Sequence, residues 1–430
     1  MSAESAGPLS LFREPEFVAL ASARFVRGMS FATIIIALAL YADRYAASGV
    51  VAGLFGTVYA LVRLVLVLPL GRAIDLGDEK RYLLGGLAAN VLILVGYSAV
   101  GAIEHVVVLR ALQGGGSALL IVTTTTVVGQ IAPDEDRGLW IGTSGQVKSV
   151  SGLAGDMGGG ALLFAYGFGT TYAVLIGLTV VSALLVVLFV RADPGASAGS
   201  EERTGIETYR RLLSRAAIRA LVAFRFAFSF GKMAVLIFLP IFARTEFGMS
   251  SVAIGGILAG GRVTKALAQG HVGSASDRLG TESWFVLGGA LLYALGTGLI
   301  PLAPVAAGAA EPATVAAFGH SVSVGPAWGW LFGCYVILGM ADSLRIPTSV
   351  SMFVAEGERF DAVAGSVSLR SVSWQFGAIV GPVAVGTTRD AVGYGAGFGL
   401  AAAVVLVAGG IFAALYAAGS GERAVATPDD

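Results

Sequence analysis

The 430 residues are 56% hydrophobic and only 13% charged, with a mean hydropathy of +0.80, a balance that excludes a soluble globular domain. Formal net charge is zero, so no global field recruits nucleic acid, and the placement of charges matters more than their sum. A single cysteine, Cys334, and three histidines without ligand spacing, His105, His271 and His320, exclude a disulfide framework and a metal centre, and no cofactor fingerprint is present.

In chain order, apolar runs long enough to cross about 30 Å of hydrocarbon as helices are expected at Phe17 to Ala42, Gly49 to Gly71, Tyr82 to Ile103, Val106 to Ile131, Gly138 to Phe164 and Thr171 to Val190. The first carries Arg24 and Arg27 and lacks a small-residue cleavage site, so it reads as a retained helix. Residues 191–219 are polar. Within them Asp193, Pro194, Gly195 and Ser197 mark a linker, and Glu207 to Arg219 is amphipathic, as expected of a helix lying on the membrane surface. Six further spans follow at Ala220 to Ala243, Ser250 to Val272, Trp284 to Ala303, Trp328 to Val354, Ala362 to Val385 and Gly395 to Ala417. The expected division is a six-helix bundle over 1–190, a linker over 191–219, a second bundle over 220–418 and a tail over 419–430. This is an all-α polytopic membrane protein with the lipid bilayer as its partner.

Basic residues outside the spans set the orientation. With the amino terminus inside, Arg13, Arg72, Lys80, Arg81, Arg137, the linker cluster from Arg191 to Arg219, Arg278, Arg359 and Arg423 are cytoplasmic, and only Arg44, Arg244 and Arg389 lie outside. Both termini are therefore expected in the cytoplasm, the membrane being the plasma membrane, and 304–327 forms an external loop.

The two halves repeat. Gly71-x-x-x-Asp75 after the second span matches Gly273-x-x-x-Asp277 after the eighth, and by the same offset Arg63 falls opposite Lys265. Asp136-Arg137, Lys148-Ser149-Val150-Ser151, Gly155 and Gly159 match Glu358-Arg359, Arg370-Ser371-Val372-Ser373, Gly377 and Gly381, and Arg24-Phe25 matches Arg225-Phe226. Charged positions inside apolar helices do not coincide this way by chance, so the halves are parallel repeats.

On these residues the chain resembles the major facilitator superfamily over essentially its whole length. The family's loop motif G-x-x-x-D-R-x-G-R-K is similar to the run from Gly273 through Asp277 and Arg278 to Gly280; in the first half it survives as Gly71 to Asp75, with Leu76 in place of the arginine. Arg110-Ala111-Leu112-Gln113-Gly114-Gly115-Gly116 is similar to the fourth-helix motif R-x-x-Q-G-x-G. The antiporter motif G-x-x-x-G-P lacks its proline at Gly155 to Gly160 and is intact from Gly377 to Gly381 and Pro382. The resemblance implies a permease working by alternating access, with Gly71, Asp75, Gly273, Asp277 and Arg278 latching the outward-facing state. Glycine pairs at this spacing also let helices approach closely, a packing role that needs no ligand.

Ionisable residues inside spans are costly, so each is a candidate for function. They are Arg24, Arg27, Arg63, Arg110, Lys148 and Asp156 in the first half, and Arg225, Lys232, Arg262, Lys265, Asp342, Arg345 and Arg370 in the second. The third, sixth, ninth and twelfth spans carry none, as expected of lipid-facing helices around a central path. Arg63 with Lys265 and Lys148 with Arg370 lie about 16 to 21 Å along their helices from the loop motifs, near mid-membrane. Two symmetric cation pairs make a chelating site for an anion, and Arg27 and Lys232 join them as candidate substrate contacts; the bland alternative is pairing with backbone, water and the two acids. Asp156, Asp342 and Arg110 are candidates for proton coupling, and a structural ion pair is an equal reading of either acid. The expected function is secondary transport of a small organic or inorganic anion. The alternative is proton-coupled efflux of amphiphilic drugs, suggested by aromatic residues such as Phe31, Tyr59, Phe228 and Trp374. An enzyme is not expected, because no nucleophile with a base is present.

Overall fold

The computed structural model describes residues 8–192, 206–279, 282–317, 319–360 and 362–425. The first half contains α1 (Pro15–Arg44), α2 (Gly49–Asp75), α3 (Glu79–Ser98), α4 (Ile103–Ile131), α5 (Arg137–Ala154) and α6 (Gly160–Phe189). Between α5 and α6 the helix continues through a π turn, Gly155–Gly159. The fifth and sixth spans are thus one helical rod broken at Gly167, where φ 71° and ψ −171° turn the chain back in a conformation that glycine reaches without steric cost. The linker helix α7 (Ile206–Leu213) is followed by α8 (Ala216–Phe247), α9 (Ser251–Leu279), α10 (Glu282–Leu299), the short α11 (Ala303–Ala307), α12 (Pro326–Glu358), α13 (Val363–Val392) and α14 (Tyr394–Val425).

The stretch before α12 is not the bare loop read from the sequence. Ala313–Ala317 (β1) and His320–Val324 (β2) pair as an antiparallel hairpin, with Val315 opposite Val322. The surface helix of the linker also ends early, at Leu213, and α8 starts four residues before the expected Ala220. Among the described residues, nine helical stretches are long and apolar enough to cross a membrane, the 53-residue rod Arg137–Phe189 holding two spans. The helices α9 and α13 fall outside that set because they are more polar, and they carry Arg262, Lys265 and Arg370.

Within the first half α1 packs on α4, α5 and α6, and α4 on α2 and α3; in the second, α8 packs on α13 and α14, and α12 on α9 and α10. The halves meet along α2 with α13, α1 with α8, and the α5 to α6 rod with α9. Side chains are absent where they would jam this seam. A β-carbon on Gly53 would stand 2.5 Å from the Pro382 carbonyl oxygen, one on Gly56 2.7 Å from Pro382 Cγ, and one on Gly160 2.8 Å from the Ser251 carbonyl oxygen.

The termini side of the bundle carries the start of α1, the α2–α3 turn and α7; the distal side carries the hairpin and the α1–α2 turn. Polar contacts between halves lie at the distal ends and at mid-height. Asp390 at the end of α13 accepts from the amides of Gly49 (2.5 Å) and Val50 (2.9 Å) at the start of α2. Arg244 pairs with Asp43 at 2.7 Å, Ser251 donates to the Gly160 carbonyl at 2.9 Å, and Thr57 to the Ile379 carbonyl at 2.5 Å. Toward the termini side Leu68, Ile141, Val150, Leu267 and Val372 are exposed.

Candidate functional site

Cations from both halves stand within electrostatic reach of one another. In the first, Arg24 donates to Ser144 at 2.5 Å and Arg27 to Ser117 at 3.3 Å, and Tyr59 also reaches Ser117 at 2.9 Å. These are neutral partners. Lys148, on an exposed stretch of α5, stands in the electrostatic range of Arg24, Arg27 and Arg63, and of Lys265 from the other half. Arg63 keeps its buried Nε without an acceptor. A small cleft beside Arg27, lined by Asn90, Gln113 and Ser117, opens between α1, α3 and α4.

The second half holds an acid at its centre. Asp342 on α12 accepts from Lys232 on α8 through one oxygen and from Arg345, one helical turn along, through the other. Arg345 is 1% exposed and its guanidinium lies on the Phe228 ring, with the Tyr293 centroid 5.6 Å away. Burial of this triad is tolerable because the carboxylate is shared and the cations are covered by aromatic faces. Arg225 stacks on Trp374 at 4.3 Å, and the Nε atoms of Arg225 and Arg370 are buried without acceptors. Lys265 faces Arg225, Arg262, Asp342 and Arg345.

The π turn places Asp156 against α9, where it pairs with Arg262. A π turn adds a residue to the local register and re-aims the side chains it contains. Two glycines make room for the pair: a β-carbon on Gly152 would stand 2.5 Å from Arg262 Nη1, and one on Gly255 3.1 Å from the Asp156 carbonyl carbon. Nothing in the sequence announced this contact, because the partners lie 106 residues apart and their repeat positions carry no matching charge.

Arg110 is wholly buried and donates to the Phe55 carbonyl (2.6 Å) and to Gln113 (2.7 Å) beneath the Tyr59 ring at 4.5 Å. No carboxylate pairs with it among the described residues. The glycine pairs serve close packing within each half. Gly155 and Gly159 abut Met29 and Thr33 of α1, and Gly377 and Gly381 abut Phe226 and Phe230 of α8, where a β-carbon on Gly381 would meet Phe230 Cα at 2.7 Å. Pro382 continues that stripe against Gly53 and Gly56. The side chains of Asp75 and Asp277 lie outside the described residues; Gly71 and Gly273 have open space where a β-carbon would stand, and Arg278 is exposed.

A family model described as the Major Facilitator Superfamily matches residues 20–319. No curated protein sequence matches the chain. Among solved structures it is similar to a bacterial homologue of the human lysosomal transporter Spinster, inward-facing and unoccupied, with a TM-score of 0.69 at 15% identity over 94% of this chain and 96% of that one. It is also similar to a peptide transporter in complex with sulfate (0.73, 13%, 96% and 99%) and to a nucleoside transporter (0.71, 13%, 93% and 99%). Identities this low carry the fold alone. With the family model matched across most of its length, the chain belongs to the major facilitator superfamily and is a multi-pass secondary transporter, not an enzyme.

Proposed function

We propose that this carrier moves a small anion across the plasma membrane by alternating access, with both termini and α7 in the cytoplasm and the cleft open inward. One observation carries the reading. Arg63, Lys148, Lys265 and Arg370 form no ion pair with any carboxylate among the described residues, and Arg27 and the Asp342-paired Lys232 stand beside them. Unpaired cations at membrane depth are expensive, and an anionic substrate offsets that cost by supplying the missing acceptors. The aromatic rings that suggest an amphiphile site are already engaged: Tyr59 lies under Arg110, Phe228 under Arg345 and Trp374 under Arg225.

A second reading, proton-coupled efflux of amphiphiles, is supported by Asp156 and Asp342. Each is ion-paired to a cation, so protonation would release Arg262 or Lys232 and couple a proton to the movement of the halves. The two readings separate in proteoliposomes. Uptake of labelled anions by the parent, lost about ten- to a hundred-fold in affinity in Arg63→Gln and Lys265→Gln variants of unchanged melting temperature, supports anion transport. Transport of neutral and cationic amphiphiles alone, driven by an imposed pH gradient, overturns it in favour of efflux.

A further inference from the structure

On the termini side of the bundle, the basic side chains of the two halves are partnered differently. On the first half Arg191 pairs with Glu16 at 2.6 Å and Arg81 with Asp78 at 3.1 Å, and the Lys80 ammonium donates to the Val187 and Val190 carbonyls at the end of α6. On the second half four arginines crowd the segment that runs from α7 into the first turn of α8: Arg210, Arg211, Arg215 and Arg219, all exposed. None of the four meets a carboxylate among the described residues, and Glu207, the acid of the same helix, forms no ion pair with them.

Three of these arginines are held in place by neutral partners. Arg211 donates to the Phe360 carbonyl at 2.9 Å, Arg215 lies over the Phe360 ring at 4.6 Å, and Arg219 donates to the Ser214 carbonyl at 3.0 Å. The helix beneath them is docked as well: Leu212 is buried with Ile218 and Ala362, and Tyr209 donates to Ser368 of α13 at 3.2 Å. Each contact engages one donor or one face of a guanidinium and leaves its other N–H groups for an anion.

The depth of the patch indicates what that anion is. With 32 residues, α8 is about 48 Å long against about 30 Å of hydrocarbon, so its ends reach the headgroup layer. Arg215 precedes its first residue and Arg219 lies in its first turn. A little further along, Phe224 packs on Phe412 of α14 with ring centroids 5.5 Å apart, and α14 exposes Leu406, Val407 and Ile411 as a lipid-facing helix does. Leu213, also exposed, adds an apolar side chain among the arginines. Unpaired arginines and an apolar residue together at headgroup depth fit a phosphate that carries acyl chains better than a soluble anion.

We propose that the segment 206–219 is a docking site for anionic phospholipid, in which Arg211, Arg215 and Arg219, with Arg210 beside them, hold the lipid phosphate. The site fastens the second half, and not the first, to the headgroup layer, and it is independent of the transported substrate.

The test uses the purified full chain in neutral detergent, titrated with phosphatidylglycerol or with phosphatidylcholine of the same acyl chains, and bound lipid is counted by native mass spectrometry. Phosphatidylglycerol should bind at least about tenfold more tightly than phosphatidylcholine. Arg210→Gln, Arg211→Gln, Arg215→Gln and Arg219→Gln combined should bring that ratio close to unity, whereas lysine at the same four positions should keep much of it. Where the fourfold glutamine variant melts well below the parent, Arg211→Gln with Arg215→Gln replaces it, and the ratio should fall at least about threefold. Arg13→Gln with Arg72→Gln, which neutralises two exposed arginines elsewhere on the termini side, should leave the ratio unchanged. Equal binding of the two lipids by the parent, a preference that survives the glutamine variants, or an equal fall in the Arg13 and Arg72 control would overturn the site. Displacement of phosphatidylglycerol by an equal concentration of inorganic phosphate would overturn the lipid assignment in favour of a soluble anion.

Discussion

Asp342 and Asp156 are both interior carboxylates, yet their surroundings assign them different costs of removal. Asp342 is shared by two cations, one of them only 1% exposed, so Asp342→Asn leaves Lys232 and Arg345 facing each other without a counter-ion. Breaking a buried pair from one side costs about 3 to 5 kcal/mol. Arg262, by contrast, has a side chain 35% exposed and can turn to water when Asp156 is neutralised. Thermal melts of the purified protein should therefore show a large loss for Asp342→Asn and a smaller one for Asp156→Asn. Equal losses would mean that Arg262 is as dry as Arg345. Asp156 was readable in the sequence as an acid inside a span, but its partner was not: helical periodicity places a residue on a face without saying which face of which distant helix it meets.

Helices in lipid have no hydrophobic drive toward one another, so the packing of elements depends on how near two backbones can come. Gly381 lies against the backbone of Phe230, with Cα only 2.7 Å from where a β-carbon would be, whereas Gly71 has nothing within 4 Å. Gly381→Val should lower stability by about 1 to 3 kcal/mol through overpacking of α13 on α8, and Gly71→Ala should leave the melting temperature unchanged. A neutral Gly381→Val would show that the two helices separate there without penalty. The close-packing role of the glycine spacing was legible, because a four-residue repeat clears one stripe of a helix. The hairpin of β1 and β2 was not: a short run of Thr, Val and Ser with a glycine lies within a stretch whose glycines and prolines also suit a loop.

At the scale of the whole molecule, the seam between halves is held distally by Asp390. Its carboxylate accepts from two free amides at the α2 N-terminus, an arrangement favoured by both capping and the helix dipole. The expected latch acid Asp75 sits at the other end of the same helix, α2, and the resemblance assigns it to the outward-facing state. The two acids thus mark opposite ends of one helix pair, α2 and α13. Asp390→Asn, which removes the negative charge from the α2 N-terminus, should weaken the distal seam by about 0.3 to 1 kcal/mol and populate the outward-open form. A cysteine at Val383, whose Cα would lie 2.9 Å from a β-carbon on Gly53, reports this directly. Buried Cys334 contributes little background. A membrane-impermeant thiol reagent should label Val383→Cys faster when Asp390→Asn is added, and an unchanged rate would remove Asp390 from the closure of that face.

By itself the sequence determined the all-α polytopic fold and the family, because these depend on properties carried along one dimension: the length of an apolar run, the offset between matching motifs, the glycine spacing of a helix stripe. It also marked the interior cations, since a charge within an apolar run is visible without coordinates. Only the tertiary structure decided which of those charges are neutralised. Asp156 meets Arg262 across 106 residues and Asp390 meets Gly49 across 341, and such pairings depend on the rotation and tilt of rigid helices relative to one another.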